Sequence, residues 1–142
     1  MTSKENADRL SWTYPATLNY VEQVCLAATT LFEKHMLSKR DRFAIELLLR
    51  EAVNNAVIHG CSENAQMHFT CQLEISDQKA IIEVADEGPG FNWRKKSQAS
   101  PSDLEVSGRG LTIFEFYANS IKYNDAGNCV TLTRRFEPQQ VE

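Results

Sequence analysis

The chain has 142 residues, a size that suits one domain with a substantial core. A net charge of -4 argues against a nucleic-acid binder that works by neutralising phosphates. No run of about 18 apolar residues is present to span a membrane. Met1 to Asn6 carry no apolar signal segment, so the expectation is a cytoplasmic protein with neither nucleic acid nor membrane as partner. Cys25, Cys61, Cys71 and Cys129 are scattered without a C-x-x-C pair and read as reduced thiols.

In chain order, Leu10 to Thr13 alternate weakly and suit an added edge strand. Pro15 suits the first turn of a helix. Leu18, Val21, Val24, Cys25, Ala28, Leu31 and Phe32 then recur at spacings of three and four, predicting a helix over 15–36. Ser38 with Asp41 resembles a cap for a second helix over 39–59, with Phe43, Ala44, Leu47, Leu48, Ala52 and Ala56 on its apolar face and Gly60 as its stop. Residues 66–76 alternate as a half-buried strand, Ser76 to Gln78 turn, and 79–85 return antiparallel. Residues 87–107 show no periodicity, and a loop of that length inside a domain is commonly functional. A short helix over 110–118 and a hairpin of 119–124 with 129–136 complete the chain. Strands segregated from helices predict an α+β two-layer sandwich, with helices on one face of a mixed, largely antiparallel sheet. One domain is expected over 1–142, its core about 10–136.

Three stretches carry chemistry. Glu51, Asn55 and His59 are four apart, so on a helix they form a polar stripe beside the apolar face of Ala52, Val53 and Ala56. Asp86 follows the strand Ile81-Ile82-Glu83-Val84-Ala85, and its carboxylate is an acceptor suited to an exocyclic amine such as that of adenine. Gly88 and Gly90 lack side chains, which lets a flat ligand approach the backbone. Gly108-Arg109-Gly110 opens a helix, where free N–H groups favour phosphate and Arg109 adds charge. Neither a P-loop nor a Rossmann fingerprint is present. Cys61, His68 and Cys71 make a poor zinc set, because positions 68 and 71 of one strand face opposite ways.

Taken jointly, Glu51-Ala-Val-Asn-Asn55-Ala-Val-Ile-His59-Gly60, then Asp86-Glu-Gly-Pro-Gly90, then Ser107-Gly-Arg-Gly-Leu111 resemble the boxes of the GHKL (Bergerat-type) ATP-binding fold over about residues 40–136. Within it the chain is most similar to the bacterial anti-sigma factor serine kinases. A histidine kinase would carry a phosphoacceptor domain ahead of the first box, and with so short a stretch before Glu51 that class is not the expected one. The resemblance implies ATP and Mg²⁺ as cofactors, Glu51 as general base toward a protein serine, and Asn55 as the Mg²⁺ ligand. It makes Asp86 the adenine contact with Gly88 and Gly90 lining the base pocket. Gly108, Arg109, Gly110 and Leu111 would hold the phosphates, and residues 91–107 would be the lid. The family often has a Thr near the start of its last strand; here Cys129 stands there with Thr131 two residues on, which leaves a water-mediated contact to the base. The implied partners are a STAS-domain anti-anti-sigma substrate, a sigma factor and a second copy of the chain. The alternative function is a partner-binding module that holds nucleotide without transferring it, or a switch for a non-sigma target.

Overall fold

A computed structural model describes residues 7–96 and 111–136. Strand β1 (Asp8–Pro15) is followed by a single 3₁₀ turn at Leu18–Tyr20 and helix α1 (Val21–Lys34). Pro15 ends the strand opposite His68 rather than opening the helix. A residue without an N–H is tolerated on an edge strand, and that is where it falls. The helix expected from residue 15 therefore starts later, and Leu18 is exposed instead of joining the apolar face. The buried residues of α1 are Val21, Val24, Cys25, Ala28, Leu31 and Phe32, one stripe at helical spacing.

Helix α2 (Lys39–Asn55) begins at Ser38, whose hydroxyl oxygen accepts from the Asp41 N–H at 3.1 Å. Ile45, Leu48, Leu49, Ala52 and Val53 are buried against the sheet. Burying each of the larger ones stabilises the fold by ~1.5–3 kcal/mol. Phe43 departs from the expected apolar face, being 60% exposed with its ring edge-on to Tyr117. The last turn is not α-helical. Ala56–Gly60 form a π turn closed by the Cys61 N–H donating to the Ala56 carbonyl at 2.9 Å.

Strands β2 (His68–Ile75) and β3 (Lys79–Asp86) form a hairpin around Ser76, whose hydroxyl oxygen accepts from the backbone N–H of Gln78 and Lys79. A one-turn helix α3 (Trp93–Lys96), helix α4 (Leu111–Tyr117) and the hairpin β4 (Ser120–Tyr123) with β5 (Cys129–Arg135) follow. The sheet runs β1-β2-β3-β5-β4, and every pairing among the described residues is antiparallel, so the mixed element of the expectation is absent there. Phe69, Cys71, Leu73 and Ile75 of β2, Ala80, Ile82 and Val84 of β3, and Val130 and Leu132 of β5 are buried with the two long helices. The opposite face carries Thr13, Thr70, Glu83 and Thr131, polar side chains that need no cover. This is the expected two-layer α+β sandwich.

Among the described residues a buried ion pair crosses the layers. Arg134 of β5 meets Asp41 of α2 at 3.0 Å and donates to the Tyr117 carbonyl, the end of α4, at 2.8 Å. Among the described residues no group of three or more His, Cys, Asp or Glu is placed to hold a metal. His68 is exposed and Cys71 buried, as the strand alternation requires. No described helix is long and apolar enough to cross a membrane.

Candidate functional site

The ends of α2, β3 and the β4–β5 hairpin meet around one cavity. Its wall includes Ala52, Asn55 and Ala56 from α2 and the π turn, Val84 and Asp86 from β3, and Asn128 and Cys129 from the hairpin. Phe91, Phe114 and Tyr123 supply aromatic surface. The cavity measures about 30 Å³, so its closed part is small, and it opens outward. A flat apolar wall with one carboxylate and two amides suits a planar heterocycle with an exocyclic amine.

Asn55 and Asp86 are thus brought into one wall from positions 31 residues apart in sequence. Asp86 is half-buried, and its Oδ1 accepts from the Gly88 N–H at 2.8 Å. Glu51 lies one α-helical turn before Asn55, half-buried, outside the cavity wall, and it makes no hydrogen bond or ion pair among the described residues. His59 leaves the line through Glu51 and Asn55, because the π turn spaces its hydrogen bonds five residues apart instead of four.

The two glycines after Asp86 do something the sequence did not suggest. Neither is in the cavity wall. A side chain at Gly88 would overlap the backbone carbonyl of Gly60, and one at Gly90 would overlap that of Ala126. Gly90 also stands at φ 80°, as does Gly127 facing it, where a Cβ is strained. Their smallness lets three backbone segments pack together behind Asp86.

Gly108, Arg109 and Gly110 lie outside the described residues, as does the expected lid from 97 to 107. Leu111 is the first residue of α4. The start of the expected lid is tied down. Trp93 stacks on Tyr123 with ring centroids 5.7 Å apart and donates to the Asn124 carbonyl at 2.9 Å. Phe91 meets Tyr123 edge-on, and the Arg94 guanidinium sits 4.3 Å over the Trp93 ring while pairing with Asp125 at 3.2 Å. Arg94 thus serves the hairpin.

Cys129 contributes to the wall at the start of β5, opposite Ala85. Burial first, then the charges of Glu83 and Asp86, hold its thiol above the ordinary value, so it is a neutral, weakly nucleophilic group. Thr131 is turned away. The alternation that sends Val130 and Leu132 inward puts its hydroxyl on the outer face, 3.4 Å from the Glu83 carboxylate. Thr131 is not among the residues that line the cavity. The wall residues missed by sequence reading are Ala52, Ala56, Val84, Phe91, Phe114, Tyr123, Gly127, Asn128 and Val130. The signals available were the place of Ala52 and Ala56 inside the Glu51–Gly60 stretch and the adjacency of Phe91 to the Asp86–Gly90 stretch.

A family model described as the histidine kinase-like ATPase domain matches residues 14–134. The chain belongs to that family. Among its relatives are the serine-protein kinases RsbW of Staphylococcus aureus strains JH9 and Newman. Each is 28% identical over 151 aligned residues, spanning 99% of this chain and 94% of the relative. The crystal structure of the RsbU and RsbW domains of a Mycobacterium tuberculosis protein matches with a TM-score of 0.63 at 19% identity, over 91% of this chain. This chain spans 32% of that longer one, and the likeness speaks for the fold alone. A histidine kinase-like ATPase domain implies an ATP site, and the cavity between α2, Asp86 and the hairpin is where the described residues offer one.

Proposed function

We propose that this chain is an ATP- and Mg²⁺-dependent protein serine kinase that acts as an anti-sigma factor and phosphorylates a STAS-domain anti-anti-sigma protein. The observation that carries the reading is the end-to-end similarity to RsbW serine-protein kinases, joined to the placement of Asn55 and Asp86 in one cavity with Glu51 a turn away. A binding module needs an adenine contact and a phosphate cradle but no base. A transferase requires a base in addition, and Glu51 is a half-buried carboxylate with no hydrogen-bonding or ion-pair partner among the described residues.

In this reading Asp86 accepts from the adenine amine, and the apolar wall of Ala52, Val84 and Phe114 excludes water from the ring. Asn55 offers an amide oxygen, the hard donor type that Mg²⁺ takes alongside phosphate oxygens and waters. Gly108, Arg109, Gly110 and Leu111 hold the phosphates. Bound Mg-ATP supplies the phosphoryl group and spreads its charge. Glu51 accepts the proton from the substrate serine Oγ as that oxygen bonds to phosphorus, and the electrons of the broken bond leave on the departing diphosphate. A sigma factor as second partner, a homodimeric assembly and a cytoplasmic setting complete the proposal.

The test is incubation with γ-labelled ATP, Mg²⁺ and a candidate STAS protein, scored for phosphoserine. Wild type labels the substrate, and Glu51→Gln binds ATP unchanged but transfers at least about a hundredfold more slowly. Normal labelling by Glu51→Gln removes that residue as the base. Absence of labelling by wild type with every STAS substrate tried, despite tight ATP binding, favours the nucleotide-holding partner module.

A further inference from the structure

The carboxylate of Asp86 is only as well aimed as the turn that carries it, and that turn is held from the other side of the cavity. The Asp86 N–H donates to the backbone carbonyl of Asn128 at 2.9 Å, extending the β3–β5 ladder by one bond. The Asn128 side chain then reaches past the ladder and donates from Nδ2 to the Gly88 carbonyl at 3.1 Å. Its Oδ1 accepts from Nδ2 of Asn124 at 2.7 Å. Asn124 is itself fixed, since its Oδ1 accepts from the backbone N–H groups of Gly127, Asn128 and Cys129 at 2.8, 3.0 and 3.2 Å. Gly88 in turn donates its N–H to Asp86 Oδ1. An unbroken relay therefore runs from the hairpin turn through Asn124, Asn128 and Gly88 to the Asp86 carboxylate.

We propose that Asn128 is a positioning residue for base recognition: its amide clamps the Gly88 peptide so that the Asp86 carboxylate presents its acceptor to an adenine amine. The proposal rests on the nucleotide-binding reading above. The residue type is dictated at both ends. The Gly88 carbonyl needs a donor and the Asn124 amide needs an acceptor, and a short carboxamide supplies both. Aspartate has no donor and would set its charge against a carbonyl. Because both ends of the amide are engaged, Asn128 acts on a base through the turn, although it also lies in the cavity wall.

Calorimetric titration of the full chain with ATP and with GTP decides the matter, because guanine presents a carbonyl where adenine presents the amine. Wild type is expected to favour ATP, and Asn128→Asp to lower the ratio of ATP to GTP affinity by about tenfold or more. A merely structural role for Asn128 would weaken both nucleotides together and leave that ratio alone, and an unchanged ratio in the folded variant overturns the proposal. If Asn128→Asp does not fold, Asn128→Ser, which keeps a donor but cannot span both partners, is read in the same way. A wild type with no preference for ATP sinks the adenine reading of Asp86 and this inference with it. A wild type that prefers ATP beside an unaltered variant sinks the inference alone.

Discussion

Asp86 and Glu51 are both half-buried carboxylates near the end of α2, yet their surroundings differ. Asp86 is gripped by the Gly88 N–H and by the relay through Asn128, so its direction is set before any ligand arrives. Glu51 has no such tether among the described residues, which on the proposed reading leaves its side chain able to follow the substrate hydroxyl. Asp86→Asn tests the first half of that contrast. An amide can turn its oxygen toward the Gly88 N–H or toward a base, and it meets either with less charge than the carboxylate. Hydrogen bonds to a charged group contribute about 1.5–3 kcal/mol, so ATP affinity should fall about ten- to hundredfold while the melting temperature changes little. Isothermal titration gives the first quantity and a thermal melt the second. Undiminished affinity would remove Asp86 from base recognition.

At the scale of elements, the strands and the long helices were legible because each buries one face and leaves a period behind. The alternation of Phe69, Cys71, Leu73 and Ile75 marked β2, and Ser38 marked the start of α2. What was not legible depends on neighbours distant in sequence. Pro15 reads as a helix opener until β2 is seen to pair with it, and Ala56–Gly60 reads as α-helix until the π turn draws Gly60 up to the Asp86 turn. The cavity wall contributed by Gly127 and Asn128 looked only like part of a hairpin turn, because nothing local says which strand end it faces. The Asp41–Arg134 pair was hidden for the same reason, being 93 residues apart. It joins α2, β5 and the end of α4, so Arg134→Met should destabilise the fold by ~3–5 kcal/mol by leaving Asp41 charged and buried. The double variant Asp41→Leu, Arg134→Met should cost less than the single one, and urea unfolding of the two checks the order. The edge strand β1 is pinned differently, by Asp8 to Lys34 at 3.0 Å and to His35 at 2.7 Å at the end of α1. The hydrogen bond from Lys34, then that from His35, holds the Asp8 carboxyl below its ordinary value of 3.8. A depressed folded value means stabilisation that is present above the unfolded value and lost as the pH falls through the folded one. Denaturant midpoints should therefore drop below pH 3.8 more steeply in wild type than in Asp8→Asn, and parallel acid limbs would discount the pair.

For the whole molecule, the sheet order makes one strong statement. β1 and β4 are its two edges, and the elements between them share one buried cluster with α1, α2 and α4. Trp12 lies on β1 and packs against that cluster, while Trp93 stacks on Tyr123 of β4 at the opposite edge. The two tryptophans therefore report on the two ends of the sheet, and the sequence contains only these two. If one core holds both edges, single-tryptophan variants Trp12→Phe and Trp93→Phe should show coincident urea transitions by fluorescence, matching the loss of helical signal by circular dichroism. Adding Mg-ATP at about a hundred times its dissociation constant should then raise the stability seen by either tryptophan by the same ~2.7 kcal/mol, since a ligand bound only to the native state stabilises all of a cooperative unit. A shift at Trp93 alone would mean that the cavity and the β4–β5 hairpin open independently of β1. In that case nucleotide binding is coupled to a sub-global unit built from α3, β4 and β5 rather than to the fold as a whole.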